Sequence, residues 1–158
     1  MKISAVITAG GTSSRFGKTN KLLEKINGKE IIKYTVDAFK NSNVDEIIIS
    51  ANSSIINILT DFFKSYENVK IVQGGNSRQA SVYNGLKATN CDYVLIHDGA
   101  RPMITPEIIN KTIATVVEKK AVSVMTKTVD TIKEVDENGK IIKTIDRSKL
   151  YNTQTPQA

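Results

Sequence analysis

Small residues and cations come together just after the first apolar segment of the chain. The loop from Thr8 to Arg15 contains Gly10 and Gly11 and no bulky apolar side chain. Glycine lacks a Cβ, so backbone N–H groups in such a loop can approach phosphate oxygens closely. Arg15 and Lys21 are placed to converge on the same anion. The loop matches neither the common ATPase motif nor the dinucleotide-binding motif. The alternative interpretation is an ordinary tight turn followed by a solvated arginine and lysine.

A second small-residue segment runs from Gly74 to Val82, between a predicted strand and a predicted helix. Ligands of parallel α/β sheets bind beyond the carboxyl ends of the strands, which is where this segment lies. Ser77 is also a good N-cap residue, so a capped helix start without a ligand is the alternative interpretation.

The third segment, His97 to Pro102, follows another predicted strand. Asp98 is placed to hold Mg²⁺, or another divalent cation, on a triphosphate, because Mg²⁺ prefers hard oxygen ligands and often uses only one or two carboxylates. A structural ion pair between Asp98 and Arg101 is the alternative. We expect His97, the only histidine, to be structural and assign it no chemistry. In a fourth segment, Arg147 is a phosphate clamp or a surface arginine.

The elements that position these segments alternate between strand-like and helix-like patterns. Nearly continuous apolar runs predict a parallel sheet covered on both faces, and therefore a doubly wound α/β fold. Asn138-Gly139 between two further strand-like runs predicts a projecting β-hairpin arm at about 129–147. The last residues, 154–158, contain no predicted element, and the chain stops where a further element should begin. The predicted sheet strands are Ile3 to Ile7, Glu46 to Ala51, Val69 to Val72, Tyr93 to His97 and Ala121 to Met125.

Composition limits the class of protein. With 158 residues, 40% of them hydrophobic, we expect one domain spanning 1–158. The net charge of +6 comes from 22 scattered Lys and Arg, so we expect small anionic partners and no nucleic acid. Cys91 is the only cysteine, and the apolar start is too short for a signal or membrane segment. A cytoplasmic protein without a membrane partner is predicted.

Five motifs occur in an order that resembles the 2-C-methyl-D-erythritol 4-phosphate cytidylyltransferase family of the non-mevalonate isoprenoid pathway. The resemblance spans the whole chain and implies a Rossmann-like nucleotidyltransferase fold, Mg²⁺, and a homodimer formed through the hairpin arm. Ribitol-5-phosphate cytidylyltransferases share much of the pattern and are the alternative within the class. The motifs are A-G-G-T-S-S-R-F with N-K-L, G-G-N-S-R-Q-A-S-V, H-D-G-A-R-P, V-D-T-I-K and I-D-R-S-K-L-Y-N-T-Q-T-P-Q.

The resemblance also implies roles for individual residues in joining CTP to a sugar-alcohol phosphate. Arg15 and Lys21 would neutralise charge in the transition state, and Asp98 would lie near Mg²⁺. The nucleotide would be bound by Ala9, Gly10, Gly11, Gly75, Asn76, Ser81, Asp98, Ala100 and Arg101, and the sugar-alcohol phosphate by Thr131, Arg147 and Thr155.

Two features depart from the family pattern. Many members carry an acidic residue where Asn76 stands. The family also continues for about half as much chain again, including an Asp that helps to bind metal and a Lys that positions the substrate phosphate. A catalytically silent nucleotide-binding or dimerisation module is therefore the alternative from another class.

Overall fold

A computed structural model describes residues 1–11 and 20–158 of the chain. Its centre is a six-stranded sheet with the strand order β5–β4–β1–β6–β10–β7, and two small hairpins, β2–β3 and β8–β9, lie outside it. The strands are β1 Ile3–Ala9, β2 Lys25–Ile26, β3 Lys29–Glu30, β4 Glu46–Ala51, β5 Val69–Gln73, β6 Tyr93–Asp98, β7 Ser123–Lys127, β8 Lys133–Val135, β9 Ile141–Thr144 and β10 Tyr151–Gln157.

Four parallel strands form the first part of the sheet, as the apolar runs predict. β1 pairs with β4 on one side and β6 on the other, and β5 pairs with β4. Residues Ala5 to Ile7 and Ile47 to Ile49 have no exposed surface, because both faces of these strands are covered. The doubly wound, mostly parallel α/β fold is therefore confirmed.

The helices cover the two faces of the sheet. They are α1 Ile31–Lys40, α2 Ile56–Phe63, α3 Arg78–Lys87 and α4 Pro106–Lys119. Buried residues of α1, α2 and α4 share one apolar cluster with Ile3, Ala5 and Ile7 of β1. α3 packs against β1 and β4 on the opposite face, where a Cβ on Gly85 would lie 2.5 Å from Val6 Cγ1.

Residues with side chains suited to N-capping start α3 and α4. Thr105 is the N-cap of α4 and Pro106 occupies its first turn, as expected for a proline whose missing N–H needs no partner there. Ser77 caps α3 by accepting the N–H of Ala80. The capped start was the alternative interpretation of the second small-residue segment, so α3 begins as that alternative describes.

The second part of the sheet differs from the prediction. β10 pairs antiparallel with both β6 and β7, so the residues that we expected to carry no element form a strand in the middle of the sheet. Its sequence is polar and contains Pro156, so apolar periodicity does not predict a strand here. β7 consequently reaches the sheet only through β10.

The projecting hairpin is confirmed. β8 and β9 pair antiparallel, and Gly139 in the connecting turn has a φ of +78°, a conformation that glycine adopts without strain. The turn is closed by the N–H of Gly139 donating to Asp136 O. No helix within residues 1–11 and 20–158 has the length and apolar character needed to cross a membrane.

Candidate active site

The ends of four parallel strands bring the predicted loops to one edge of the sheet. In register, Ala9 of β1 lies beside Ala51 of β4, which lies beside Gln73 of β5, and Thr8 lies beside Asp98 at the end of β6. The loops that follow β1, β5 and β6 therefore open at the same edge. This is where ligands bind in open α/β sheets.

Ser81 joins the first two predicted loops. Its side chain is buried, and its Oγ accepts the N–H of Gly75 at 3.1 Å and lies 2.9 Å from Ser77 O. A Cβ on Gly10 would lie only 2.5 Å from this Oγ, and a Cβ on Gly75 only 2.3 Å from Ala80 Cβ. Both glycines are thus required by close packing, and the two loops form one continuous backbone surface.

Other predicted nucleotide contacts surround this surface. Ala9 is buried at the end of β1, and Gly10 O accepts a hydrogen bond from Asn52 Nδ2 at 3.2 Å. Asn76 is exposed, and Ala100 is half-buried against the core. A Cβ on Gly11 would meet nothing within 4 Å among the described residues, and Gly11 is exposed.

Asp98 is held between two arginines. Its Oδ1 lies 3.1 Å from Arg78 Nε, and its Oδ2 lies 3.0 Å from Arg101 Nε. Burial acts to raise the pKa of the Asp98 carboxyl, but the hydrogen bonds and the positive charges of the two arginines together outweigh it and lower the pKa below its usual value. The carboxylate is ionised and the cluster carries one net positive charge. The structural ion pair between Asp98 and Arg101 is therefore present, which leaves a binding role open.

Beneath Asp98, the buried His97 connects β6 to β10. Its Nδ1 lies 3.0 Å from Thr155 Oγ1, and its Nε2 lies 3.3 Å from Arg101 O. Burial lowers the pKa of His97 to about 4. Arg101 Nη1 also bonds Gln154 Oε1, so Arg101 is fixed by β10 as well as by Asp98.

The other predicted substrate residues lie on or beside the hairpin. Thr131 and Arg147 are exposed, and Arg147 Nη1 donates to Val129 O. Within residues 1–11 and 20–158, no hydrogen bond or ion pair joins either side chain to Asp98 or Arg101. The chain therefore brings Thr155 to the Asp98 cluster but does not connect Thr131 and Arg147 to it.

Of the two predicted catalytic cations, only Lys21 is among the residues that the structure describes. Lys21 is exposed in the turn before the buried Leu22. Arg15 lies outside the described residues.

Sequence reasoning missed Arg78, Asn52 and Gln154. Arg78 carried a signal: it is the first residue of α3, and a cation at a helix N-terminus opposes the helix dipole. Such a side chain implies a nearby anion, which is Asp98. Asn52 and Gln154 carried no comparable signal.

Fold and site together define a doubly wound α/β protein with a glycine-lined, arginine-containing candidate site at the carboxyl edge of its sheet. The most informative structural likeness is to the crystal structure of 4-diphosphocytidyl-2C-methyl-D-erythritolsynthase from Anaerococcus prevotii. The TM-score is 0.88 at 34% identity, over 99% of this chain and 69% of that chain. The protein is thus of the cytidylyltransferase class.

Sequence comparison gives the particular family. The family model for 2-C-methyl-D-erythritol 4-phosphate cytidylyltransferase matches residues 3–158. Relatives with that name include the Clostridioides difficile protein, 43% identical over 98% of this chain and 68% of the relative. The Clostridium acetobutylicum relative is 44% identical over 97% and 70%, respectively. The chain belongs to the 2-C-methyl-D-erythritol 4-phosphate cytidylyltransferase family, which favours this interpretation over the ribitol phosphate and silent-module alternatives.

Proposed function

We propose that the protein transfers the cytidylyl group of CTP to 2-C-methyl-D-erythritol 4-phosphate and releases pyrophosphate. A phosphate oxygen of the sugar alcohol forms a bond to the α-phosphorus of CTP, and the bond between that phosphorus and the oxygen bridging to the β-phosphorus breaks. The nucleophile is already an anion, so catalysis depends on positioning and electrostatics rather than on a general base. The observation that carries the proposal is the joined glycine loops beside the Asp98 cluster.

The nucleotide would lie against the surface formed by Gly10, Gly11 and Gly75. Gly10 and Gly75 cannot carry a Cβ without displacing Ser81 or Ala80, and the resulting flat backbone surface admits close approach by phosphate or base. Ser77 and Ser81 fix the start of α3, so the loop is set before any ligand arrives.

Positive charge at this edge would offset the repulsion between the two anionic substrates. Arg101 and Arg78 share the single charge of Asp98, and we assign Arg15 and Lys21 to the phosphates undergoing transfer. A full charge about 4 Å away contributes roughly 4 kcal/mol at an effective dielectric near 20. Two or three cations at this distance therefore have a large effect on the barrier.

Asp98 suits a divalent cation such as Mg²⁺ by its donor chemistry. Its carboxylate is ionised and 30% exposed, and Oδ2 accepts only the Arg101 bond among the described residues. No group of three His, Cys, Asp or Glu side chains that could hold a metal occurs in the described ranges, so triphosphate oxygens would complete the coordination, as is common for Mg²⁺. When bound, Mg²⁺ supplies charge neutralisation on the phosphates.

The hairpin supports a homodimer. Its exposed apolar side chains include Val129 at 77%, Ile141 at 59% and Ile142 at 62%, and burying such surface favours association. We propose that the arm carries Thr131 and Arg147 to the site of a second copy, since neither side chain is linked to Asp98 within its own described chain. We also propose that the enzyme is located in the cytoplasm.

Pyrophosphate release tests this function. CTP with 2-C-methyl-D-erythritol 4-phosphate should give pyrophosphate faster than CTP with ribitol 5-phosphate, and CTP should bind more tightly than UTP, ATP or GTP in calorimetric titration. Tighter binding of a purine nucleotide contradicts the proposal. CTP binding without turnover on either sugar phosphate supports the silent-module alternative instead.

A further inference from the structure

His97 occupies a position that the proposed mechanism leaves without a role. Its side chain has no exposed surface, and its ring lies 5.1 Å from that of Phe39 at an angle of 56°. Both ring nitrogens have oxygen partners, Thr155 Oγ1 and Arg101 O. Packing and hydrogen bonds therefore fix the orientation of the imidazole.

The partners determine which nitrogen carries the proton. A backbone carbonyl only accepts, so Nε2 must carry the hydrogen that bonds Arg101 O. At pH 8 an imidazole with even the ordinary pKa of about 6.5 is neutral, so Nδ1 has no hydrogen and accepts. The Thr155 hydroxyl must then donate to Nδ1, because an unprotonated Nδ1 has no hydrogen to donate.

The same hydroxyl oxygen accepts the N–H of Asp98 at 3.4 Å. Hydrogen bonds therefore run in one direction, from Asp98 N–H through the Thr155 hydroxyl and the His97 ring to Arg101 O. A hydroxyl has one hydrogen, and in Thr155 that hydrogen is committed to His97. Thr155 is also only 6% exposed, so it has no donor for a phosphate oxygen.

We infer that His97 is a positioning residue: together with Thr155, it holds the segment from Asp98 to Arg101 on β10. Thr155 therefore acts through His97 and does not donate a hydrogen bond to the sugar phosphate. This inference rests on the proposed function for its kinetic consequences. The group being positioned is the Asp98–Arg101 pair, whose backbone atoms form both ends of the hydrogen-bond chain.

Two matched variants separate the two ends of this chain. In His97→Asn the side-chain oxygen can replace Nδ1 and accept from Thr155, whereas in His97→Gln the amide can replace Nε2 and donate to Arg101 O. His97→Gln and Thr155→Val break the same bond, so each should lower kcat, and the double variant should be no worse than the poorer single one. Thr155→Ser keeps the hydroxyl and should restore most of the turnover that Thr155→Val loses.

The kinetic pattern distinguishes positioning from direct contact. Small displacements of catalytic groups reduce turnover by about 10- to 100-fold, so Thr155→Val should lower kcat in this range and change KM for the sugar phosphate less than about threefold. A rise in that KM of tenfold or more with kcat retained, or multiplicative losses in the double variant with His97→Gln, overturns the inference.

The tautomer can be measured without any substrate. Because His97 is the only histidine, ¹⁵N-histidine labelling gives a single imidazole spin system, and two-bond ¹H–¹⁵N correlations at pH 8 show which nitrogen is protonated. We expect a protonated Nε2 and an unprotonated Nδ1 whose shift changes in Thr155→Val. A protonated Nδ1 overturns the inference whatever the turnover measurements give.

Discussion

Gly10→Ala tests whether the two glycine loops are one unit held by Ser81. The added Cβ would lie 2.5 Å from Ser81 Oγ, about half an ångström inside the closest approach that real Cβ atoms show, and its next contact would be Ser81 Cβ at 3.4 Å. Gly10 is not among the residues with positive φ, so alanine fits its backbone conformation. The predicted cost therefore comes from one atom.

The magnitude follows from how firmly that atom is held. Ser81 Oγ has hydrogen-bond contacts with Gly75 N, Gly75 O and Ser77 O, so it cannot turn away freely, and we expect Gly10→Ala to cost about 1 to 3 kcal/mol as overpacking. Ser81→Ala should cost about 1 kcal/mol for its lost hydrogen bonds. In the double variant the clashing atom is absent, so Gly10→Ala should cost less than about 0.5 kcal/mol there.

Urea unfolding of the four proteins measures these terms as shifts in midpoint at constant m. Gly11→Ala is the matched control for stability, since a Cβ at Gly11 meets nothing within 4 Å among the described residues. Calorimetric titration with CTP should show a parallel loss of affinity in Gly10→Ala. Additive costs in the double variant, or a stability of Gly10→Ala equal to that of Gly11→Ala, would refute the shared packing of the two loops.

Three further perturbations have distinct expected outcomes. Arg147→Ala should weaken use of the sugar phosphate by about 1.5 to 3 kcal/mol with CTP affinity retained. Lys149→Ala, at the other end of the short 3-10 helix Arg147–Lys149, should not, and lost CTP affinity in Arg147→Ala would assign Arg147 to the nucleotide. Lys21→Ala should lower kcat about 10²- to 10³-fold, with Lys64→Ala as the charge-matched control. The hydrogen bond from Tyr66 to Asp37 raises the pKa of Tyr66 to about 12, so this bond stabilises the fold below pH 10 and its contribution is lost between pH 10 and 12. In an absorbance titration, Tyr66→Phe should therefore remove the phenolate that forms at the highest pH.

The parallel part of the fold follows from its sequence in a direct way. Runs such as Ile47 to Ile49 can be buried on both faces only in a covered sheet, and the loops after such strands must meet at one edge. β10 could not be predicted by the same argument, because its buried residues are Thr155 and Pro156, and its place between β6 and β7 depends on long-range backbone pairing rather than on apolar periodicity.

The candidate site was predictable by position but not by contact. Asp98 and Gly75 were placed at strand ends by their spacing, whereas the bond from Arg78 to Asp98 joins residues 20 apart and depends on how α3 packs on the sheet. His97 carried no signal of a role. The strand pattern predicts that His97 is buried. Its two hydrogen-bond partners, however, lie in the loop after β6 and on β10, a strand that the sequence did not predict.

The central claim is most directly tested by identifying the product. ³¹P NMR of the protein with CTP, 2-C-methyl-D-erythritol 4-phosphate and Mg²⁺ should show a new diphosphate-bridged cytidine species appearing in equal amount with pyrophosphate. Preferential consumption of ribitol 5-phosphate, or release of phosphate and CDP in place of pyrophosphate, would contradict the account.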